Sequence, residues 1–375
     1  MFGYAFDNDV MRSHTLRSIA LPALYLLLLA APALQAAPQS PAPAQDFVRQ
    51  VQLAVDRLQE WYIPRTGLWK STGWWNAANA LTAIVDYSRV TRATRYEPVI
   101  AQTYAANQSK GFLNEYYDDE GWWALAWIDA YDLTGNPDYL RAAEGIFDDM
   151  AGGWDDTCGG GVWWSKSRHY KNAIANELFL SVAAHLANRV KDPARKVKDL
   201  TWAEREWRWF RGSGMIERDH LISDGLTQQC QNNHQTKWSY NQGVILGGLD
   251  ELSLQHGQRG TLREARRIAD AAIDRLANGS GILHEPCEPQ CGIDGTQFKG
   301  IFMRNLALLN QRAPSPRYSD FIRRNAETML ANDQDSEHSF GVVWSGPPES
   351  ANASTQSSAI DGLVAALAVQ EGHLH

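Results

Sequence analysis

Apolar residues are concentrated in two kinds of segment that alternate along the chain. Segments of the first kind are apolar on all sides and rich in small residues. Segments of the second kind carry one apolar stripe, as in Phe47–Trp61, where Val51 and Val55 recur at helical spacing. A helix that is apolar all round is buried, whereas a helix with a single stripe packs on the outside of a core. The alternation therefore predicts buried helices that are interleaved with outer helices.

Each kind of segment occurs six times, and strand-like runs of alternating polarity are nearly absent. The predicted buried helices are Ala77–Tyr87, Ala124–Leu133, Ala173–Leu186, Gly243–Leu254, Ile301–Leu309 and Ala359–Val369. The predicted outer helices are Phe47–Trp61, Tyr96–Tyr104 (the weakest pattern), Tyr139–Met150, Trp202–Phe210, Leu262–Leu276 and Tyr318–Leu330. Strict alternation of six buried and six outer helices predicts an all-α protein, an (α/α)6 barrel or six-hairpin toroid. The repeats are unevenly spaced, which argues against a regular solenoid.

The N-terminus has the pattern of a secretory signal peptide. Two arginines precede the apolar run Ile19–Ala31, and small residues that end at Ala37 follow it. That run is shorter than the roughly 20 residues of a membrane span. We therefore predict a signal peptide at residues 1–37, a Pro/Ala-rich leader at 38–45 and one catalytic domain at 46–375. The mature protein is expected to be secreted or periplasmic, without a membrane span.

The even number of cysteines, four, fits an exported protein with two disulfides, and the lack of a CxxC pair argues against a zinc-ribbon or thioredoxin motif. Cys287 and Cys291 are close enough in sequence to form a disulfide that closes a short loop. Cys158 and Cys230 would then form the second disulfide. Four cysteines allow three pairings, however, and the sequence does not choose among them.

The composition narrows the class of protein further. A hydrophobic content of 44% and a charged content of 21% exclude a disordered chain and a polytopic membrane protein. The formal net charge of -8 argues against a nucleic-acid partner. No nucleotide-binding or zinc-protease motif is present, and we predict no metal, no cofactor and a monomeric protein. The unusual feature is the fifteen tryptophans among 375 residues.

Many of these tryptophans fall at or near the predicted starts of the buried helices, whose N-terminal ends meet at one face of such a barrel. Flat aromatic rings beside amide and charged groups are typical of sugar-binding surfaces, because pyranose C–H faces stack on indole. Tryptophans that only fill the core are the alternative, and the repeated pairing at helix starts argues against it. The predicted substrate-binding residues from this pattern are Trp74, Trp75, Asn76, Trp122, Trp123, Trp164, Tyr240 and Asn241.

Asp118 and Asp119 are the candidate catalytic pair, directly before the second predicted buried helix. Glycoside hydrolysis requires two carboxyl groups, about 5–5.5 Å apart for retention and about 6.5–9.5 Å for inversion. Adjacent carboxylates at a loop-to-helix junction can splay across one sugar ring, and unequal surroundings can separate their pKa values. Simple helix capping is the alternative role of an Asp. Two further pairs, Asp148-Asp149 and Asp155-Asp156, have a less suitable local context.

The residues around this pair resemble the active-site segment of glycoside hydrolase family 76, the endo-α-1,6-mannanases. The resemblance runs through YDDEGWWALAW (117–127), GWWN (73–76), CGGGVWW (158–164), KNAIANE (171–177), YNQG (240–243), FKG (298–300) and TQSS (355–358). It covers nearly the whole predicted mature chain. These motifs add Tyr117, Lys171 and Asn172 to the predicted substrate-binding residues.

The resemblance implies an (α/α)6 barrel and a retaining mechanism on α-mannan. It implies that Asp118 is the nucleophile and that Asp119 is the acid/base. The expected function is therefore a secreted endo-α-1,6-mannanase. A mannan transglycosidase and a non-catalytic mannan-binding protein on the same barrel remain alternatives.

Overall fold

The computed structural model describes residues 43–371, apart from 256, 258 and 259. The predicted signal peptide lies outside these residues. The described residues belong to one compact unit, and its first helix begins at Pro43, slightly before the predicted start of the domain.

Twelve α-helices form from the described residues, in two concentric sets of six. The inner set is α2 (Trp74–Thr91), α4 (Tyr117–Thr134), α6 (Ala173–Arg189), α8 (Ser239–Ser253), α10 (Phe298–Arg312) and α12 (Ala353–Glu371). The outer set is α1 (Pro43–Gln59), α3 (Glu97–Asn107), α5 (Pro137–Ala151), α7 (Pro193–Gly212), α9 (Gly260–Arg275) and α11 (Pro316–Thr328). Beside them are a two-residue hairpin of β1 (Tyr62–Ile63) and β2 (Leu68–Trp69), three short 3₁₀ turns and a π-helical turn, Met329–Asp333.

The inner helices close into a ring. Each of them contacts the next inner helix along the chain, and α12 returns to contact α2. Helices α5, α7 and α9 pack outside the inner helix that precedes each of them, α11 packs against α10 and more extensively against α12, and α1 packs outside α12. The predicted (α/α)6 barrel is therefore confirmed. The segment with the weakest predicted pattern, Tyr96–Tyr104, also forms a helix, α3.

Small residues allow the inner helices to approach closely. A Cβ atom on Gly243 of α8 would lie 2.6 Å from the backbone of Phe302 on α10. A Cβ atom on Gly300 of α10 would lie 2.5 Å from the backbone of Ser358 on α12. Real Cβ atoms do not come this close to backbone, so the small residues in the predicted buried segments are a packing requirement of the ring.

Several inner helices begin earlier than predicted. Helix α4 begins at Tyr117 instead of Ala124, and α12 begins at Ala353 instead of Ala359. The first turn of a helix tolerates polar residues, because its N–H groups have no partner within the helix. Apolar periodicity therefore misses this turn. The consequence is that aromatic and acidic clusters predicted in loops lie within the first helical turns.

Two disulfides are present, Cys158–Cys230 and Cys287–Cys291. This is the pairing that sequence proximity suggests. The first joins the loop before α6 to the loop before α8, and the second closes a small loop before α10. Over the described part of the chain, no helix is both long enough and apolar enough to be a membrane span.

Candidate active site

A cavity of about 550 Å³ opens where the N-terminal ends of the inner helices meet. Four inner helices and the loops between them supply its walls. Its lining residues are Trp75, Tyr116, Asp118, Asp119, Trp122, Trp164, Tyr170, Asn172, Asp224, Tyr240, Asp294 and Phe298. Carboxylates and aromatic rings thus share one concave surface, which is typical of a polar-ligand site.

Asp118 lies in the first turn of α4, not in the loop before it as predicted. One of its carboxylate oxygens, Oδ2, accepts a hydrogen bond from the indole Nε1 of Trp164 at 2.9 Å. The other, Oδ1, accepts the backbone N–H of Asp119 at 3.0 Å. Two N–H donors and a helix N-terminus all stabilise the ionised form of this carboxyl group.

Asp119 has a different partner. Its Oδ2 accepts a hydrogen bond from the side-chain amide of Asn114 at 2.6 Å. The Oδ1 of Asn114 in turn accepts the backbone N–H of Tyr116 at 2.9 Å. The amide of Asn114 is therefore oriented, with its NH₂ group toward the carboxylate.

Burial raises the pKa of both aspartates. For Asp118, burial is the largest cause and the charge of Asp119 adds to it, while the hydrogen bonds from Trp164 and the backbone oppose them. For Asp119, burial raises the pKa to about 6, against the hydrogen bond from Asn114. The two carboxyls interact, so they titrate as a pair and hold one proton between them over part of the pH range.

Four aromatic rings form a nearly parallel group that lines the cavity. Tyr240 stacks on Phe298 with ring centres 3.8 Å apart, and Trp75 stacks on Trp122 at 5.6 Å. The interplanar angles are 7° and 25°. Trp164, which is 37% exposed, also lines the cavity, where its indole contacts Asp118. The edges and outer faces of these rings form an apolar part of the cavity wall.

Each of the two predicted tryptophan pairs at helix starts is divided between the cavity and the core. Trp75 and Trp122 line the cavity. Trp74 packs on the fully buried Trp123 at 4.8 Å, and Trp123 stacks on Trp127 at 5.8 Å. The core explanation therefore applies to one member of each pair and the cavity explanation to the other.

Among the other predicted binding residues, Asn172 lines the cavity and caps α6 by accepting the N–H of Ala175 at 3.3 Å. Tyr117, Asn76 and Asn241 are buried and do not line it. The side chain of Asn76 accepts the N–H of Gly73 at 3.1 Å at the start of α2.

Lys171 lies beneath the loop 155–161 and contacts neither Asp118 nor Asp119. Its ammonium group binds Asp155 Oδ1 at 2.9 Å and the carbonyl oxygens of Thr157, Gly160 and Gly161 at 2.7, 2.7 and 2.9 Å. The side chain is almost fully buried. These contacts describe a residue that holds a loop together, and its partner Asp155 has no place in the cavity wall.

The cavity also contains acids that sequence patterns did not single out. Asp224 accepts a hydrogen bond from the Tyr170 hydroxyl, and Asn233 donates to that hydroxyl at 2.8 Å. Burial raises the pKa of Asp224, against the hydrogen bond from Tyr170. Asp294 accepts the indole N–H of Trp75 at 3.0 Å. Asp224 and Asp294 lie in irregular loops, where neither periodicity nor helix position marks a residue.

A larger cavity, of about 780 Å³, lies at the opposite end of the inner helices. Several of its charges pair with one another: Arg189 binds Asp132 at 2.7 Å and Glu251 at 3.0 Å, and Arg312 binds Asp250 at 3.2 Å. Arginines at helix C-termini also complement the helix dipole. We therefore place the candidate active site in the smaller cavity. Among the described residues, no three His, Cys, Asp or Glu side chains are grouped so that they could hold a metal ion.

Comparison with known families agrees with this placement. A family profile described as Glycosyl hydrolase family 76 matches residues 55–374, which is most of the chain. The chain belongs to glycosyl hydrolase family 76. The match includes the helix that carries the aspartate pair and every residue that lines the cavity.

Curated relatives of this family 76 chain are fungal. It is 27% identical over 303 residues to mannan endo-1,6-alpha-mannosidase DCW1 of Eremothecium gossypii, covering 72% of this chain and 66% of that one. It is 29% identical over 301 residues to a putative mannan endo-1,6-alpha-mannosidase of Schizosaccharomyces pombe, covering 73% and 65%. The matched region thus spans slightly less than two thirds of these relatives.

Solved structures share the fold. An inactive variant of the α-1,6-mannanase GH76A of a Salegentibacter species, in complex with an α-1,6-linked mannotetraose, has a TM-score of 0.78 at 22% identity, covering 86% of this chain and 99% of that one. Dfg5 of Chaetomium thermophilum, in complex with glucosamine, has a TM-score of 0.76 at 20% identity, covering 87% and 91%.

Proposed function

We propose that this protein is a retaining endo-α-1,6-mannanase that hydrolyses the backbone of α-1,6-linked mannan. One observation carries the proposal: an adjacent aspartate pair lies in an aromatic-lined cavity of a family 76 barrel. The names of the curated relatives support the substrate class. The inactive Salegentibacter mannanase, in which two consecutive aspartates are replaced, supports the role of the pair.

Asp118 is the nucleophile in this proposal. Its carboxylate attacks the anomeric carbon of a mannosyl unit, and the glycosidic C–O bond breaks. The indole N–H of Trp164 and the helix N–H group favour the ionised form of this carboxyl group, against the effect of burial, and fix its orientation. Pre-orientation of this kind lowers the barrier because no reorganisation is needed when charge moves.

Asp119 is the acid/base. It donates its proton to the departing sugar oxygen in the first step, and it then removes a proton from the water that cleaves the mannosyl–Asp118 ester. A pKa raised to about 6 by burial keeps this proton available in mildly acidic solution. Trp75 and Tyr240, which are partly exposed beside the buried rings of Trp122 and Phe298, offer apolar surface against which neighbouring mannose units pack.

Export is part of the proposal. The predicted signal peptide supports it, and so do the two disulfides, which persist in oxidising compartments. An exported enzyme meets a polysaccharide that does not enter the cell.

The deciding experiment is product analysis on unbranched α-1,6-mannan. We expect the wild type to release α-1,6-linked oligosaccharides, with the α-anomer formed first in ¹H NMR spectra. Asp118→Asn and Asp119→Asn should each lower the rate by about a hundredfold or more. Asp148→Asn is the matched control, because Asp148 belongs to another Asp-Asp pair and lies exposed on α5, paired with Arg195 at 3.0 Å.

The alternatives give different products. Longer chains in the presence of an acceptor oligosaccharide would identify a transglycosidase. Binding of mannan without any released or elongated product would identify a binding protein, and it would overturn both enzymatic proposals.

A further inference from the structure

Glu120 follows the aspartate pair directly and is fully buried in the first turn of α4. It does not line the cavity, and neither step of the proposed mechanism uses it. Its Oε1 accepts two hydrogen bonds, from the backbone N–H of Asn114 at 3.2 Å and from the ammonium group of Lys166 at 3.0 Å. Both donors belong to segments outside α4, so one carboxylate oxygen joins two loops to the start of this helix.

The first connection leads to Asp119. Glu120 holds the backbone of Asn114, and the side chain of Asn114 donates to Asp119 Oδ2 at 2.6 Å. The side chain of Asn114, which donates to Asp119, is therefore positioned by the hydrogen bond from the backbone of Asn114 to Glu120.

The second connection leads to Asp118. Lys166 binds Glu120 and also Asp149 on α5, both at 3.0 Å, and its backbone N–H donates to Glu115 at 3.0 Å. Two residues before it, the carbonyl of Trp164 accepts the backbone N–H of Tyr117 at 2.9 Å. These contacts hold the segment 164–166 along the start of α4. The segment's indole then reaches Asp118 Oδ2 at 2.9 Å.

A carboxyl group at this place is unfavourable for stability alone. Burial raises the pKa of Glu120 to about 8, against the hydrogen bond from Lys166, and the neighbouring carboxyl of Asp149 raises it further. An apolar residue of similar volume would pack here without the loss of hydration. Such a residue would not join Asn114 and Lys166.

We propose that Glu120 is a positioning residue, which sets the hydrogen-bond donors of both aspartates through Asn114 on one side and Lys166 on the other. This inference rests on the proposed function, because it gives the two aspartates their catalytic roles. It predicts that cutting either connection disturbs the aspartate pair while the barrel stays folded.

Three variants test the connections. Glu120→Ala removes both, Lys166→Met removes the one that leads to Trp164, and Glu120→Gln keeps an acceptor oxygen in place. We expect Glu120→Ala and Lys166→Met to lower kcat by about tenfold on α-1,6-mannan, with a smaller change in KM. Loss of donors should also move the acidic limb of the kcat/KM profile upward by about half a pH unit or more. Glu120→Gln should retain activity within about threefold of the wild type.

Asp199→Ala is the matched control. Asp199 is equally buried, lies on the outer helix α7 and binds Arg195 at 2.8 Å, far from the cavity. We expect this variant to lose stability without a change in kcat or in the acidic limb. If Glu120→Ala does not fold, Lys166→Met decides, since the Lys166 side chain is 31% exposed. Wild-type kcat and an unmoved acidic limb in the folded variants would overturn the proposal.

A second measurement does not depend on activity. In ¹⁵N-labelled protein, the indole N–H resonance of Trp164 is identified by its absence from Trp164→Phe. We expect it to shift in Glu120→Ala and Lys166→Met and to stay in place in Asp199→Ala. A resonance unmoved in all three variants would contradict the inference. A shifted resonance in a protein that never cleaves mannan would support the positioning and overturn the proposed function instead.

Discussion

The indole Nε1 of Trp164 lies 2.9 Å from Oδ2 of Asp118, although 46 residues separate them in sequence. Trp164 is at once a partly exposed ring in the cavity wall and a hydrogen-bond donor to the proposed nucleophile. Sugar recognition and carboxylate ionisation thus depend on one side chain. A ligand that moves this ring would also change the hydrogen bond from its indole N–H to the Asp118 carboxylate.

Replacement of this indole by a ring without a donor should weaken catalysis at low pH. The hydrogen bond from Trp164 lowers the pKa of Asp118, so its loss in Trp164→Phe raises that pKa. Because the nucleophile must be ionised, activity should disappear at a higher pH than in the wild type. We expect the acidic limb of kcat/KM to move upward by about one pH unit and kcat/KM at the optimum to fall roughly tenfold.

The matched control for this prediction is Trp163→Phe. The indole of Trp163 also donates to an aspartate, Asp155 at 2.7 Å, but outside the cavity. Its replacement should leave the acidic limb where it is. Equal shifts in both variants would show that the acidic limb moves because the loop around residues 163–164 is perturbed, and not because the hydrogen bond to Asp118 is lost.

The basic limb should respond to Asn114. Because the two aspartates titrate as a pair, the proposed acid loses its proton as pH rises through the upper of the pair's two steps, and kcat/KM should fall there. The amide of Asn114 stabilises the ionised form, so Asn114→Ala raises the pKa of Asp119 further. We expect the basic limb to move upward by about half a pH unit or more, measured by initial rates between pH 4 and 9.

Asn232→Ala is the control for that shift. Asn232 also accepts a backbone N–H two residues on, that of His234 at 2.8 Å, and it lies in a loop away from the aspartates. A basic limb that stays in place in Asn114→Ala would argue that Asp119 is not the group that titrates there.

The ring of helices was predictable because burial on all sides leaves a direct signal, the all-apolar segment. The division of each tryptophan pair was not predictable in the same way. Trp74 and Trp75 have identical side chains, and only the rotation of α2 decides which one meets the cavity and which one meets Trp123. That rotation follows from packing among six helices, which no local pattern encodes.

The partners of the aspartates were also beyond sequence reasoning, for a related reason. Asn114 lies in the same segment as Asp119, yet its role depends on the fold of a loop held by Glu120. Asp224 reaches the cavity from a loop far along the chain. Lys171 falls in a motif of the family and still lies outside the cavity wall, because its long side chain turns under the loop 155–161.

Replacement of Lys171 should therefore affect stability first. In Lys171→Met, the carbonyl oxygens of Thr157, Gly160 and Gly161 lose their common donor, and Asp155 loses its cation. We expect the free energy of unfolding to fall by about 2–4 kcal/mol, measured by urea denaturation. Lys198→Met is the control, because Lys198 forms a half-exposed ion pair with Asp148 at 2.8 Å, and it should change stability by less than about 1 kcal/mol. A stable Lys171→Met protein with a raised KM would instead favour direct substrate binding.

The two disulfides should differ in their contribution to stability. Cys158 and Cys230 are 72 residues apart, whereas Cys287 and Cys291 are 4 apart. A cross-link restricts the unfolded chain more when it closes a longer loop, which corresponds to about 4 kcal/mol for the long loop and about 2 kcal/mol for the short one. We expect the double variant Cys158→Ser/Cys230→Ser to unfold at a clearly lower urea concentration than Cys287→Ser/Cys291→Ser. Each double variant serves as the control for the other, since each removes one bridge and adds two hydroxyls. Equal losses would mean that native contacts around each bridge, and not the length of the closed loop, determine its contribution.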